Sequence, residues 1–424
     1  MRAFAVLGRP RKHLCAAGFV LGLLLPAAVA GQGSGGVNTP AQQKKPYVVM
    51  VSFDGFKPEY LQRIDLPNFA RVVQRGVRSV GMIPVFPSKT FPNHYAIATG
   101  MYSENNGIVA NRFFDPARNA TYNMSDSVAF LDASWYRGEP IWVTAEKQGM
   151  VSASYFWVAT DAPIAGVFPS IYKRYDGKVA NELRVDSVLA WLALPPEKRP
   201  HMITLYFSDT DNAAHSHGPL SPQLDTAARH ADADLGRLLD GLERLPDIKD
   251  RVYVVLVSDH GMTENSPRWY VGIDTVIAMD SVKLAEGGPL ANLYVTDAPK
   301  RARVIADSIN RRMKHGHAFV RGELPAYLHY NRDPRIGDVV VMMDEHFQIG
   351  MANRPPREGG NHGWDPTLES MHALFVASGP GIPAGKVIPS FENVDIYPWL
   401  TELLGLKAAP GIDGKPGRLA KLIQ

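Results

Sequence analysis

Three stretches of this chain are almost unbrokenly apolar, and each is followed at once by acids: residues 47–53 before Asp54, residues 202–207 before Asp209 and Asp211, and residues 252–257 before Asp259. Runs rich in Val, Ile, Leu and aromatic residues, without polar alternation, suit strands covered on both faces, as in a parallel sheet. Between them, apolar residues recur at helical spacing over residues 66–76, closed by a glycine, and over residues 222–245. These segments are predicted to cross over from strand to strand. The pattern predicts an α/β fold, with a mostly parallel central sheet and helices on both faces. From about residue 263 to 358 the apolar runs shorten, with one helix predicted near residues 300–313. This part reads as an inserted, smaller subdomain covering the site, ending in a Pro, Arg and Gly-rich loop at residues 354–360.

The first thirty residues follow a different pattern. Arg9, Arg11 and Lys12 precede an apolar stretch that Pro26 breaks and small residues close at Ala30. Such a segment has the form of a secretory signal peptide, and its apolar run is short for a membrane span, so no transmembrane anchor is expected after cleavage. Residues 31–45, rich in Gly and Gln, read as a flexible lead-in to a domain at residues 46–424. Cys15, the one cysteine, lies inside the leader. A mature chain without cysteine is compatible with an exported protein whose large core needs no disulfides, and the bacterial periplasm is the expected compartment. With Arg2, Arg9, Arg11 and Lys12 removed and no acid lost, the formal charge falls from +3 to −1. No stable nucleic-acid complex is expected of such a chain.

Carboxyl ends of parallel strands are where α/β sheets place ligands. Asp54, Asp211 and Asp259 are therefore expected to converge on one edge. Asp211 and His215 are four residues apart, which on a helix puts both on one face. Asp259 is followed by His260 and Gly261, and His362 by Gly363. Three Asp and three His divide into two sites: Asp211, His215 and His362 on one ion, and Asp54, Asp259 and His260 on the other. Mixed imidazole and carboxylate ligation favours two zinc ions over magnesium or calcium. Thr90 stands in a loop feeding a helix expected to start near Pro92. There its hydroxyl can cap the helix, can serve, once activated by a metal, as nucleophile toward phosphate, or can do both.

The run Lys89-Thr90-Phe91-Pro92-Asn93-His94-Tyr95 resembles the nucleotide pyrophosphatase/phosphodiesterase family. The likeness continues through Asn111, Phe114-Asp115-Pro116, residues 138–144, Phe168-Pro169, residues 211–219, Asp259-His260-Gly261 and His362-Gly363. The resemblance implies an alkaline phosphatase-like fold, a two-zinc site and Thr90 as both metal-contacting residue and nucleophile. It implies that Asn111 donates to a non-bridging phosphate oxygen. It further implies that Phe91 and Tyr175 hold a nucleotide base between them, with Met124 and Tyr206 as further walls. The family often has Glu-Pro-Asp where this chain has Asp209-Thr210-Asp211, and Gly in place of Ala214.

The expected substrate is a small nucleotide or another phosphodiester, with ATP giving AMP and pyrophosphate. A phosphate monoesterase or phosphonate hydrolase remains an alternative, with Lys89 and Arg112 as the cations that a dianionic monoester needs. So does a lipid head-group phosphodiesterase. A sulfatase lacks its convertible Cys or Ser motif here, and a non-catalytic binding protein would be expected to have lost a ligand or the nucleophile. The sequons at Asn119 and Asn123 matter only on a eukaryotic secretory route.

Overall fold

The computed structural model describes residues 36–424, so the leader and residues 31–35 lie outside the described residues. From Asn38 onward the segment expected to be a flexible lead-in is tied down. The buried Asn38 side chain donates to Pro196 O at 2.9 Å and Arg199 O at 2.7 Å, and accepts from Val151 N at 2.7 Å.

Eight strands form the main sheet, in the order Lys386–Ile388, Val77–Ser79, Phe375–Ser378, Val252–Val257, Tyr47–Phe53, Met202–Phe207, Ser152–Tyr155, Ile171–Lys173. All run in one direction except Phe375–Ser378, which is antiparallel to both neighbours. The three apolar runs are the adjacent central strands. Their alternate residues feed two separate cores: Val48 and Met50 face one, Val49, Val51 and Phe53 the other. Burial on both faces is why polar alternation is missing from these strands. Each large apolar side chain so buried contributes about 1.5–3 kcal/mol. Helices Thr90–Thr99, Ile141–Lys147 and Ile396–Leu404 cover one face, and Pro67–Arg75, Asn181–Leu192 and Pro222–Glu243 the other. Two of these match the predicted crossovers. Pro222–Glu243 is capped by Ser221, whose side chain accepts from Leu224 N at 3.2 Å, and Pro67 occupies the first turn of its own helix.

Within residues 263–358, strands Val282–Leu284, Leu290–Val295, Val339–Met342 and His317–Val320 make a second, antiparallel sheet, with helix Ala298–Arg312 against it. Ala291, Leu293, Val339 and Val341 join Ile305 and Ile309 of that helix in a core of their own. Leu290 and Val340, on the opposite face, belong to the core of the main sheet. The excursion leaves and returns through one short antiparallel ladder, Thr263–Asn265 with Gly359–Asn361.

Candidate metal centre and aromatic cavity

The sheet's carboxyl edge gathers the predicted residues. Asp54 and Asp259 follow neighbouring parallel strands and are fully buried. Gly55 has φ +65°, and its N–H donates to Asp259 Oδ1 at 3.2 Å. A Cβ there would stand 3.2 Å from Asp211, so glycine permits both the turn and the close approach. Asp211 and His215 lie in helix Asp209–His217, with His215 Nε2 3.3 Å from Asp211 Oδ1. Thr210, where the family pattern often has proline, donates to Asp54 O at 2.5 Å and fastens this helix to the first strand.

His362 arrives from the far side of the insertion. The Thr263–Asn361 pairing returns the chain beside Met262, so the His362 and His260 rings stack with centroids 3.4 Å apart. Gly359 also makes way for the Asp209–His217 helix, since a Cβ on it would fall 2.1 Å from His215 O. Backbone carbonyls orient each imidazole. Nδ1 of His215 meets Gly360 O at 2.8 Å, that of His260 meets Gly261 O at 2.8 Å, and that of His362 meets Ser88 O at 2.8 Å. These bonds place the proton on Nδ1 and turn every Nε2 lone pair toward the carboxylates. His260 Nε2 is 2.9 Å from Asp259 Oδ2 and 3.4 Å from Asp54 Oδ1, and His362 Nε2 is 3.8 Å from Asp211 Oδ1.

The electrostatics are unsettled by protein groups alone. Burial, then the charges of Asp259 and Asp211, push the Asp54 carboxyl well above its ordinary range. Asp211 is raised, chiefly by burial. Burial would also raise Asp259, but the adjacent His260 and His94 overcome it and hold it low. His260 is raised despite burial by Asp259, whereas burial and then its neighbours His260 and His215 depress His362. Asp54 Oδ1, Asp211 Oδ1 and Asp259 Oδ2 are buried and have no hydrogen-bond partner. Buried, unpartnered carboxylate oxygens facing imidazole lone pairs are the donor set of a transition-metal site. Three groups can hold a cation: Asp211, His215 and His362; Asp54, Asp211 and His260; and Asp54, His94 and Asp259. The first is the trio expected from the sequence. The expected second trio of Asp54, Asp259 and His260 is not one of these groups: its members are divided between the other two, although His260 Nε2 lies within 3.4 Å of both carboxylates. His94, unassigned in the sequence reading, is an addition.

Thr90 is the first residue of its helix, two residues earlier than expected, because proline is tolerated throughout a first helical turn. Lys89 holds the N-cap position, so the Thr90 hydroxyl does not serve as the cap; its Oγ1 lies 3.3 Å from His260 Nε2. Asn111 Oδ1 accepts from Phe91 N at 3.0 Å, so its side chain is held against the first turn of the Thr90 helix, and Asn111 lines an adjacent cavity of about 650 Å³ that Thr90 does not line. Beyond Thr90 opens a cavity of about 450 Å³ that Asp54, Thr90 and Asp211 share with aromatic walls. All four predicted wall residues, Phe91, Met124, Tyr175 and Tyr206, line it. Tyr206 does more than line the cavity, for its hydroxyl donates to Asp54 Oδ2 at 2.6 Å. Phe156, Trp157 and Asp161 also line it and were not foreseen; Asp161 Oδ1 is buried without a partner. Their only sequence signal is proximity to the Ser152–Tyr155 strand end.

A carboxylate and imidazole edge able to hold metal, beside a helix N-terminal threonine, defines an alkaline phosphatase-like α/β protein. The profile of the family described as type I phosphodiesterase / nucleotide pyrophosphatase matches residues 48–365, and the chain belongs to that family. Human ectonucleotide pyrophosphatase/phosphodiesterase family member 1 is 36% identical over 397 residues, covering 91% of this chain and 42% of the relative. Venom phosphodiesterase CdcPDE of Crotalus durissus collilineatus is 35% identical over 406 residues, covering 92% and 48%. The chain thus spans less than half the length of these relatives. Murine ectonucleotide pyrophosphatase/phosphodiesterase 5 superposes with a TM-score of 0.84 at 30% identity, covering 89% of this chain and 100% of that one. The same murine protein is known as an inactive threonine-to-alanine form in complex with AMP, at 29% identity.

Proposed function

We propose that this chain is an exported, zinc-dependent phosphodiesterase and nucleotide pyrophosphatase that works through a covalent threonyl intermediate on Thr90. The observation that carries the reading is the position of Thr90 Oγ1. It stands at a helix N-terminus, 3.3 Å from His260, between the carboxylate and imidazole cluster and the aromatic cavity. Asp211, His215 and His362 would hold one zinc ion and Asp54, Asp259 and His260 the other, and ions bound there would supply Lewis acidity favouring the Thr90 alkoxide and neutralising phosphate charge. Thr90 Oγ attacks phosphorus in line, its proton passing to solvent, and the bond from phosphorus to the leaving oxygen breaks. Water then cleaves the threonyl phosphate, restores the hydroxyl and releases the nucleoside monophosphate. Asn111 donates to a non-bridging oxygen, an interaction worth about 3 kcal/mol by analogy with oxyanion donors. Phe91 and Tyr175 hold the base, with ATP giving AMP and pyrophosphate.

One distance disfavours the monoesterase reading. Lys89 Nζ, a candidate clamp for a dianion, is 2.6 Å from Glu286 Oε1 of the insertion, so its charge is already balanced. Among the described residues no helix is long and apolar enough to cross a membrane. Export to the periplasm is proposed from the basic and apolar leader and from relatives named as ectoenzymes and venom proteins. The test is Thr90→Ala, read on the nitrophenyl ester of a nucleoside monophosphate beside nitrophenyl phosphate. Turnover should fall by about three orders of magnitude or more while zinc content stays at the wild-type value. Residual turnover near wild type, with zinc intact, removes Thr90 from the reaction; faster turnover of nitrophenyl phosphate by the wild type favours the monoesterase.

A further inference from the structure

His94 is completely buried, and every side of its ring is engaged. Nδ1 lies 3.0 Å from Thr90 O and 3.3 Å from Asp259 Oδ2, while Nε2 lies 2.8 Å from Ser52 Oγ. A backbone carbonyl only accepts, so the proton belongs on Nδ1, and Ser52 completes the pattern by donating to Nε2. In that tautomer neither nitrogen keeps a free lone pair. His94 is therefore unsuited to bind a metal, although it falls in a group with Asp54 and Asp259 that can hold one. Trp157 and Tyr206 fix the ring in place. Both meet it edge to face at 5.1 and 5.2 Å, and Trp157 Nε1 donates to His94 O at 3.1 Å.

We propose that His94 is a positioning residue. Its Nδ1–H stands between the first turn of the nucleophile helix and Asp259, and so sets the spacing between the Thr90 hydroxyl and the second ion's carboxylates. The proposal rests on the roles given to Thr90 and Asp259 above. A buried ring that is hydrogen-bonded to one element and packed 3.3 Å from a carboxylate oxygen on another is how outer groups fix the orientation of a ligand. Because Trp157 and Tyr206 also wall the aromatic cavity, the same ring ties the cavity to the reacting hydroxyl.

The full chain, loaded with zinc, provides the test through three variants: His94→Phe, His94→Asn and Ser52→Ala. Asn keeps an N–H close to the Nδ1 position, and Phe keeps the shape without it. His94→Phe should lower kcat on the nitrophenyl nucleotide ester about 10–100-fold with KM nearly unchanged, and should lose zinc to a competing chelator about tenfold more readily. His94→Asn should recover most of both. Ser52→Ala, which releases Nε2, should lower kcat severalfold with zinc retained. The proposal is overturned if His94→Asn is as impaired as His94→Phe, or if His94→Phe matches wild type in kcat and zinc retention. Should His94→Phe not fold, an unchanged kcat in Ser52→Ala overturns it instead. Loss of zinc stoichiometry in both His94 variants would instead make His94 a ligand. A fully active Thr90→Ala would bring down the underlying reading rather than this one.

Discussion

The two ends of the central sheet both bury ionisable side chains, and they resolve them in opposite ways. At the amino end, His201 stacks on Tyr47 with centroids 4.2 Å apart and shares a hydrogen bond of 2.9 Å with Pro46 O. Arg251 and Arg199 lie over the Tyr47 ring at 5.2 and 5.8 Å, and Arg251 donates to Lys45 O at 2.6 Å. Burial, then the nearby arginines, lower the His201 pKa to about 4, so the ring stays neutral. At the carboxyl end three carboxylates crowd together with unpartnered oxygens. Two like charges about 4 Å apart repel by about 4 kcal/mol at an effective dielectric constant near 20. The fold keeps the first end uncharged, with His201 Nε2 buried and unpartnered, and leaves the charges of the second to be balanced by cations.

The sharpest way to break this comparison is to remove those cations. If zinc is present at a thousand times its dissociation constant, chelation should cost about 4 kcal/mol of stability. Calorimetry with and without chelator should show Tm falling by several degrees, equally in wild type and in His201→Phe. A Tm indifferent to chelator would mean that the carboxyl end is self-sufficient after all.

Next comes acid. An unfolded chain protonates His201 near pH 6.5, but the folded chain resists until about pH 4. The unfolded state binds more protons in that window, so the neutral ring's stability is present above pH 6.5 and is lost as pH falls toward 4. The full loss is about 3 kcal/mol. In zinc-free protein, His201→Phe should flatten the dependence of Tm on pH over this interval, and an unaltered slope would place the titration elsewhere.

Asp54→Asn should act with opposite signs on stability and function. Removing one buried negative charge should raise the Tm of the zinc-free protein by about 2 °C, while turnover and zinc binding collapse. A fall in zinc-free Tm would show that Asp54 is held favourably without a cation. The smallest effect is expected from Tyr175→Ala, at the open rim of the cavity. KM for a nucleotide ester should rise about fivefold with kcat little changed, matching a stacking contact of about 1 kcal/mol.

Much of the carboxyl end was legible because single strands and single helical turns encode it. Asp54 and Asp259 close apolar runs, and the spacing of Asp211 and His215 is local. His362 was legible as an imidazole beside glycine, but its place beside His260 depends on a ladder spanning the whole insertion. Tyr206 was expected only as a cavity wall, since a strand residue bonding an acid on the next strand leaves no trace in spacing. His94 follows Thr90 by one helical turn, a visible signal, yet its contacts with Ser52 and Asp259 come from two other elements. The start of the Thr90 helix was misplaced because Pro92 suits several first-turn positions equally. The reversed strand Phe375–Ser378 shows no pattern that sets its direction.

The ladder that brackets the excursion has a lasting consequence. Since Thr263 and Asn361 face each other across one pair of strands, the chain departs from and comes home to a single spot. Exposed turns between those anchors can change in length while His362 keeps its seat, whereas Leu290, Tyr330 and Val340 of the excursion are fixed by the main-sheet core. Those turns are therefore open to remodelling, by natural variation or by an engineer, with the cavity beside Thr90, which no residue of the excursion lines, left in place.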